Sequence, residues 1–236
     1  MPPSDISKSN NRFYQLRAWS VHLYTASGLL FALLAVIEII RDQPQWAFFY
    51  AVIAMIVDGT DGIFARRWEV KKWASQFDGR KLDDITDYLN YTFVPVLFIY
   101  QFDILPGYWI LVLFFVLLAS AYGFCFESAK TEDGFFTGFP SYWNAVALYL
   151  YWLKWPEWAA AFIVIMLAAL TFVPSKYISL NQTMQMQRIS RILLVLWGML
   201  LVWIAVDFTQ PNMLLVYISL LYPAYYFLAS LIISTR

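Results

Sequence analysis

Eight apolar stretches, most of them long enough to cross a lipid bilayer as a helix, dominate this sequence. A hydrocarbon core about 30 Å thick requires roughly 20 helical residues. Of the 236 residues, 61% are hydrophobic and only 14% are charged, whereas a soluble domain contains about 25% charged residues. We therefore predict an all-α, polytopic membrane protein with eight transmembrane helices, which cover approximately residues 20–40, 45–65, 83–100, 105–126, 140–153, 156–173, 192–206 and 212–233.

The fifth stretch is short for a straight crossing, and Lys154 and Pro156 separate it from the sixth. These two stretches form either a hairpin of full spans or a partly re-entrant pair. We favour full spans because the count then gives a consistent orientation. The polar first 17 residues do not resemble a cleavable signal. We see no internal repeat or low-complexity tract, so we expect one membrane-embedded domain over residues 1–236.

The distribution of basic residues predicts the orientation, because cytoplasmic loops carry an excess of Lys and Arg. With the N-terminus inside, fourteen of the 16 basic residues lie on the cytoplasmic side, and only Arg41 and Lys154 lie outside. Both termini are then cytoplasmic. Residues 66–81, which combine cations with Trp68 and Trp73, are predicted to form an interfacial helix on anionic headgroups, with a solvated loop as the alternative. The hydrophobic composition, with only 14% charged residues, excludes a basic domain that binds nucleic acid.

Four aspartates lie where a membrane protein rarely tolerates them. Asp58 and Asp61 are three residues apart near the cytoplasmic end of the second span, and Asp83 and Asp87 are four apart at the start of the third. These spacings put each pair on one helical face. Acidic residues in membrane spans are costly and usually functional. If the two helices are antiparallel neighbours, the four carboxylates converge near the membrane surface.

Converging carboxylates predict a site for a hard divalent cation, Mg²⁺ or Mn²⁺, which prefers oxygen ligands. The chain has one histidine, His22, and one cysteine, Cys125, so the sequence argues against a zinc or copper site. The alternative is a surface charge network in which the acids pair with the neighbouring basic residues Arg66, Arg67, Arg80 and Lys81.

Small residues and one arginine share the second span with Asp58 and Asp61. Glycine lets a ligand or another backbone come close to a helix, and Gly59, Gly62 and Ala65 give this helix a small face. Arg66 follows with a guanidinium that suits phosphate. The combination predicts a pocket for a metal-bound phosphate ligand, since a helix that only packs against a neighbour has no need of the acids.

In these residues the sequence resembles the CDP-alcohol phosphotransferases, membrane enzymes of phospholipid synthesis. The positions that match their signature are Asp58, Asp61, Gly62, Ala65, Arg66, Gly79, Asp83 and Asp87. Twelve residues separate Arg66 from Gly79, more than in most members, and this spacing is typical of bacterial members that join CDP-diacylglycerol to choline. Residues 18–32 and 138–144 are also similar to those members.

The resemblance implies a role for each of these positions. Four acids would bind the divalent metal: Asp58, Asp61, Asp83 and Asp87. Asp87 would also act as the general base on the alcohol. The residues that would contact CDP-diacylglycerol are Gly62, Ala65, Arg66, Gly79 and Thr25. Membrane lipids would surround the protein in a bacterial inner membrane, with the active site on the cytoplasmic side. Dimers are common among members, so a homodimer is a further hypothesis.

The acceptor alcohol is not determined by membership, since relatives also use serine or inositol. A quaternary ammonium group binds aromatic faces, and the aromatic and acidic residues at suitable depth are Tyr88, Tyr91, Tyr122, Glu127 and Trp143. We interpret these as choline-binding candidates, although interfacial aromatic residues also serve as membrane anchors. Choline is therefore the predicted acceptor. The rival hypotheses are a family member that uses serine or inositol, and a cation transporter with intramembrane carboxylates.

Overall fold

A computed structural model describes the backbone of residues 3–126, 136–177 and 187–234, and the side chains of residues 11–126, 137–175, 177 and 189–232. Within these ranges the fold consists of eleven α-helices: α1 Pro3–Ile40, α2 Pro44–Arg67, α3 Val70–Trp73, α4 Gly79–Tyr88, α5 Val94–Gln101, α6 Ile110–Cys125, α7 Trp143–Leu153, α8 Glu157–Leu170, α9 Gln187–Ile204, α10 Met213–Ser219 and α11 Leu221–Ser234. A π-helical segment, Leu89–Phe93, lies between α4 and α5. Two short strands, β1 Phe136–Thr137 and β2 Lys176–Tyr177, pair antiparallel.

The helices confirm an all-α, multi-pass membrane protein. Five segments in the described part of the chain are long and apolar enough to cross a bilayer: Asn11–Ile40, Pro44–Arg67, Gly107–Cys125, Ile189–Asp207 and Met213–Ile232. The count of eight stays a prediction. Helix α7 has 11 residues and α8 has 14, which at 1.5 Å per residue extend only about 17 and 21 Å.

The chain divides into two compact units, Met1–Asn90 and Tyr91–Arg236. In the first unit α1 packs along α2 and also contacts α3 and α4. Small buried residues line α1 and α2, among them Ala35 and Ala54, and such residues let membrane helices approach closely. Pro44 begins α2, where its missing N–H would be unpaired in any helix.

The connection between α2 and α4 does not form the predicted interfacial helix. Glu69 adopts a left-handed conformation with φ 48° and interrupts the helix after Arg67, so that α3 is a single turn. Asp78 then caps α4 by accepting a hydrogen bond from the backbone N–H of Lys81 at 3.1 Å. The prediction of an interfacial helix over residues 66–81 was wrong. The turn is instead held to α1 by an apolar cluster of Ala18, Val21, Val70 and Ala74.

The second unit contains helices α5–α11, in which α6 packs on α8, α5 on α7, and α9 on α10. Gly138 has φ +81°, and a Cβ atom there would collide with the backbone carbonyl of Thr171. Two buried tryptophans of this unit are hydrogen-bonded in its core. The indole N–H of Trp143 donates to Ser120 Oγ at 2.8 Å, and that of Trp152 donates to the carbonyl of Phe208 at 3.1 Å.

Candidate metal centre

The pairing of α1 with α2 positions the first of the motif acids. Thr25 Oγ1 donates a hydrogen bond to Asp61 Oδ2 at 2.7 Å, and the hydroxyls of Tyr24 and Thr60 lie 2.8 Å apart. Because Arg17 of α1 contacts Trp68, which directly follows α2, while Thr25 contacts Asp61 one to two turns earlier in α2, the two helices run antiparallel. Asp61 is 8% exposed. Its buried carboxylate is thus held by Thr25, a residue that the resemblance associated with the nucleotide.

Three of the four motif acids come together between α2 and α4. Asp58, Asp83 and Asp87 are each partly buried and each offers a carboxylate oxygen, and these oxygens all lie within 4.8 Å of one another. Mg²⁺ holds its ligands at about 2.1 Å, so opposite oxygens of one ion lie about 4.2 Å apart. Three hard oxygen donors at this separation fit a divalent cation. Asp61 lies one turn further along α2 and is oriented by Thr25.

The basic residues near the start of α4 have their own acidic partners. Nε of Arg80 lies 4.0 Å from Oδ2 of Asp84, and Nζ of Lys81 lies 3.7 Å from Oδ2 of Asp78. Both pairs are on the exposed side of α4, and neither acid belongs to the motif. These ion pairs give Arg80 and Lys81 a structural explanation that is independent of the carboxylate cluster.

The small residues of the motif have different neighbours. A Cβ atom at Gly59 would meet nothing within 4 Å, so this glycine borders open space. At Gly62 it would lie 3.3 Å from Nη1 of Arg66, whose exposed guanidinium folds back over that glycine. Ala65 packs against the apolar cluster that holds α3. Gly79 faces the imidazole of His22, whose Cε1 would lie only 2.7 Å from a Cβ atom.

A second contact sets the distance between α1 and α4. Asn90 Nδ2 donates to the carbonyl of Gly28 at 3.1 Å and to that of Thr86 at 3.0 Å. A Cβ atom at Gly28 would approach Thr86 Cγ2 to 2.5 Å, so a larger residue would push the helices apart. Sequence reasoning missed this contact and also missed His22. The signals that the sequence offered were a glycine in an apolar span, the polar residues Thr86 and Asn90 four positions apart, and a lone histidine.

The choline-binding candidates occupy varied environments. Tyr88, in the first unit, is partly buried and directly follows Asp87, and Tyr91 in the second unit is also partly buried. Tyr122 is 44% exposed, with its ring 5.4 Å from that of Phe126. Trp143 is fully buried, and its indole N–H donates to Ser120. Glu127 lies outside the described residues.

The described part of the chain thus combines helices long and apolar enough to cross a membrane with a cluster of carboxylates that could hold a hard cation. The profile of the CDP-alcohol phosphatidyltransferase family matches residues 22–223, so the chain belongs to this family. The chain is accordingly a membrane transferase of phospholipid biosynthesis.

Three of the similar curated proteins are named phosphatidylcholine synthase. A phosphatidylcholine synthase of Pseudomonas aeruginosa is 39% identical over 174 residues, which cover 73% of each chain. One from Borreliella burgdorferi is 37% identical over 174 residues, covering 73% of this chain and 74% of its own. One from Legionella pneumophila is 32% identical over 221 residues, covering 90% and 87%.

Proposed function

We propose that this chain transfers the phosphatidyl group of CDP-diacylglycerol to choline, with release of CMP. The observation that carries the proposal is the convergence of Asp58, Asp83 and Asp87 within a family of phosphatidyl transferases. The names of the relatives support choline as the acceptor. Serine and inositol are the competing acceptors.

The proposed cofactor is Mg²⁺ or Mn²⁺, held by Asp58, Asp83 and Asp87, with Asp61 as a fourth ligand. When bound, the metal would neutralise charge on the diphosphate as CMP departs. The hydrogen bond from Thr25 keeps the Asp61 carboxylate oriented and occupies one of its oxygens. The other Asp61 oxygen has the remaining capacity to accept a ligand.

The remaining residues of the motif bind and orient the donor. The exposed guanidinium of Arg66, folded over Gly62, is placed to contact phosphate. Open space beside Gly59 supports a ligand position along the same helical face. We assign Gly62, Ala65, Gly79 and Thr25 to the walls of the donor pocket.

Asp87 is the proposed general base. As the choline hydroxyl oxygen forms its bond to phosphorus, its proton passes to a carboxylate oxygen of Asp87, and the bond between phosphorus and the CMP oxygen breaks. A carboxylate is a weak base for an alkyl hydroxyl, so proton transfer must accompany bond formation. The position of Asp87 one turn from Asp83 on α4 puts it at the same cluster.

Recognition of choline is assigned to aromatic faces, which attract a quaternary ammonium group. Tyr88 and Tyr91 are proposed contacts because both are partly buried and follow Asp87 closely in the chain. Tyr122 and Glu127 stay as further candidates. The buried indole of Trp143 and its bond to Ser120 support a packing role in place of a ligand contact.

The proposed location is the bacterial inner membrane, with both termini and the site on the cytoplasmic side. The basic residues near the site support this orientation. The family profile spans residues 22–223, which supports one domain over residues 1–236. A homodimer is a hypothesis that chemical cross-linking in membranes would test.

The test uses purified full-length protein in lipid nanodiscs with CDP-diacylglycerol and labelled choline. We expect phosphatidylcholine and CMP in equal amounts, no product with EDTA, and recovery on adding Mn²⁺. Excess unlabelled serine or inositol should not compete with choline. Competition by either would assign that alcohol as the acceptor. Choline uptake without CMP release would favour the transporter hypothesis and contradict the proposal.

A further inference from the structure

We propose that His22 hydrogen-bonds the nucleoside part of the lipid donor, and that Gly79 provides the space its imidazole needs. This inference rests on the proposed function, since it assumes a nucleotide-activated lipid. Histidine and glycine side chains do not supply the hard oxygen ligands of the carboxylate cluster. The role proposed for His22 is therefore separate from metal binding. The proposal thus assigns His22 to the nucleoside half of the lipid donor.

The first observation is a buried polar atom without a partner. His22 is 7% exposed, and its Nε2 has no hydrogen bond within the described part of the chain. Buried polar groups are almost always hydrogen-bonded, and each exception calls for an explanation. A bound ligand that supplies the missing partner would explain this one.

The second observation is that the surrounding residues hold the imidazole in one place. A Cβ atom at Gly79 would lie 2.7 Å from His22 Cε1 and 3.2 Å from Nδ1, so only glycine leaves room for the ring. The ring of Phe77 lies 4.5 Å from the imidazole and that of Trp19 lies 5.7 Å away. The imidazole of His22 therefore lies in a fixed position between α1, which bears it, and the first turn of α4.

The third observation is the depth of His22 relative to the carboxylates. On α1, His22 lies one turn before Thr25, which contacts Asp61. Since Gly79 meets His22 while Thr86 meets Gly28, α4 runs parallel to α1. Asp83 is one turn after Gly79 and therefore lies near the level of Thr25. The aspartates begin about 5 Å beyond His22 along the helix axes, at 1.5 Å per residue.

The direction of this offset identifies the ligand group. His22 lies on the side of the aspartates nearer the polar N-terminal part of α1, and Arg17 and Trp68 contact each other further in that direction. A lipid donor keeps its acyl chains in the bilayer and extends its nucleotide toward water. With the diphosphate at the carboxylates, the nucleoside reaches the level of His22.

The chemistry of the imidazole fits this position. A neutral imidazole provides one donor and one acceptor nitrogen, and either suits the hydroxyls of a ribose or the polar edge of a base. The burial of Nε2 excludes water from this hydrogen bond, so it contributes to selectivity for a nucleotide donor.

The experiment measures binding of CMP, a soluble probe that needs no turnover, to full-length protein with Mn²⁺ by calorimetry. His22→Phe keeps a ring of similar size but cannot hydrogen-bond. We expect its Kd for CMP and its KM for CDP-diacylglycerol to rise about tenfold, the effect of one lost hydrogen bond. The KM for choline and the Mn²⁺ affinity should not change. The conservative His22→Gln should retain most of the CMP affinity.

A double-mutant cycle keeps the test decisive if one variant folds poorly. Gly79→Ala should weaken CMP binding by displacing the imidazole, and should add no further loss in a His22→Ala background, because coupled residues are not additive. Ser20→Ala, an exposed change on α1, is the control. Wild-type affinity in His22→Phe, or additive losses in the cycle, would overturn the inference. If the wild-type protein itself neither binds CMP nor releases it from CDP-diacylglycerol, the proposed function fails instead.

Discussion

The two units of this protein bury different kinds of polar group. In Met1–Asn90 the partly buried carboxylates of Asp58, Asp83 and Asp87 each offer an oxygen within 4.8 Å of the others, beside buried neutral groups such as Thr25 and Asn90. In Tyr91–Arg236 the core contains neutral hydroxyls and indoles, such as Tyr149, whose hydroxyl lies 2.9 Å from Ser219 Oγ and accepts from Trp197 at 2.9 Å. The first unit gathers carboxylates, whereas the core of the second contains indoles and hydroxyls that hydrogen-bond one another.

This difference separates function from stability. Three carboxylate oxygens within 4.8 Å of one another suit a divalent cation, so we expect the first unit to bind its ligands through them. Paired hydroxyls and indoles satisfy each other inside the protein. Substitutions at the carboxylates of the first unit should therefore change turnover and ligand affinity, and those at the paired indoles and hydroxyls of the second should change the free energy of unfolding.

The largest expected effect tests the charged side of this comparison. Asp87→Asn keeps the shape of the side chain but removes the base, and loss of general-base catalysis lowers kcat by roughly 10²–10⁴-fold. Radiochemical assay of phosphatidylcholine synthesis measures the change. The control is Asp84→Asn, on the same helix and paired with Arg80, which should retain wild-type turnover. If Asp87→Asn kept more than about a tenth of the activity, the assignment of the base would be wrong.

A smaller loss should follow when the support of Asp61 is removed. Thr25→Val deletes the 2.7 Å hydrogen bond to the carboxylate, and hydrogen bonds to charged groups contribute about 1.5–3 kcal/mol. We expect kcat/KM to fall about 10- to 100-fold, with a higher Mn²⁺ concentration needed for half activity. Thr25→Ser restores the hydroxyl and should recover both quantities. A Thr25→Val protein with unchanged Mn²⁺ dependence would show that the bond is only structural.

In the second unit, Trp143→Phe should destabilise the fold and leave the reaction unchanged. The variant removes the indole hydrogen bond to Ser120 in a fully buried site, where Ser120 still accepts from the hydroxyl of Ser141, and the loss of one such bond costs about 0.5–1.5 kcal/mol. Thermal unfolding in detergent should show a lower Tm, while the protein that remains folded keeps its KM for choline. A raised KM for choline with unchanged Tm would place Trp143 at the acceptor site. It would contradict the assignment of this residue to the stability of the second unit.

The smallest effect is expected at an exposed ion pair. Arg80 and Asp84 lie 4.0 Å apart with side chains 68% and 35% exposed, and such helical pairs contribute about 0.3–0.5 kcal/mol. Arg80→Gln should change neither Tm nor CMP release measurably. A clear loss of CMP release would mean that Arg80 contacts the substrate, and the charged site would then extend further along α4.

The gathering of acids was predictable because it depends on local spacing. Residues three and four apart share a helical face, and a short connection brings the two helices together, so the meeting of Asp58 with Asp83 and Asp87 could be expected. The resemblance to a known signature added the roles. The spacing of the acids within each helix and the order of the helices can both be read from the sequence.

Contacts that depend on how helices interlock could not be expected. The wedge of His22 against Gly79 and the contact of Gly28 with Thr86 join residues more than fifty positions apart, and periodicity carries no information about them. The prediction of an interfacial helix was wrong for a local reason. The cations and tryptophans of this segment indicate an amphipathic helix, but they give no sign of the left-handed conformation of Glu69 that interrupts it.

Gly28 carries no functional group, yet the separation of two helices rests on it. Because its carbonyl and bare Cα meet Asn90 and Thr86, any side chain at this position would tilt the segment that bears Asp83 and Asp87. A genetic screen for inactive forms should then recover Gly28 substitutions among those of the aspartates, and such forms should regain activity when metal is supplied in excess.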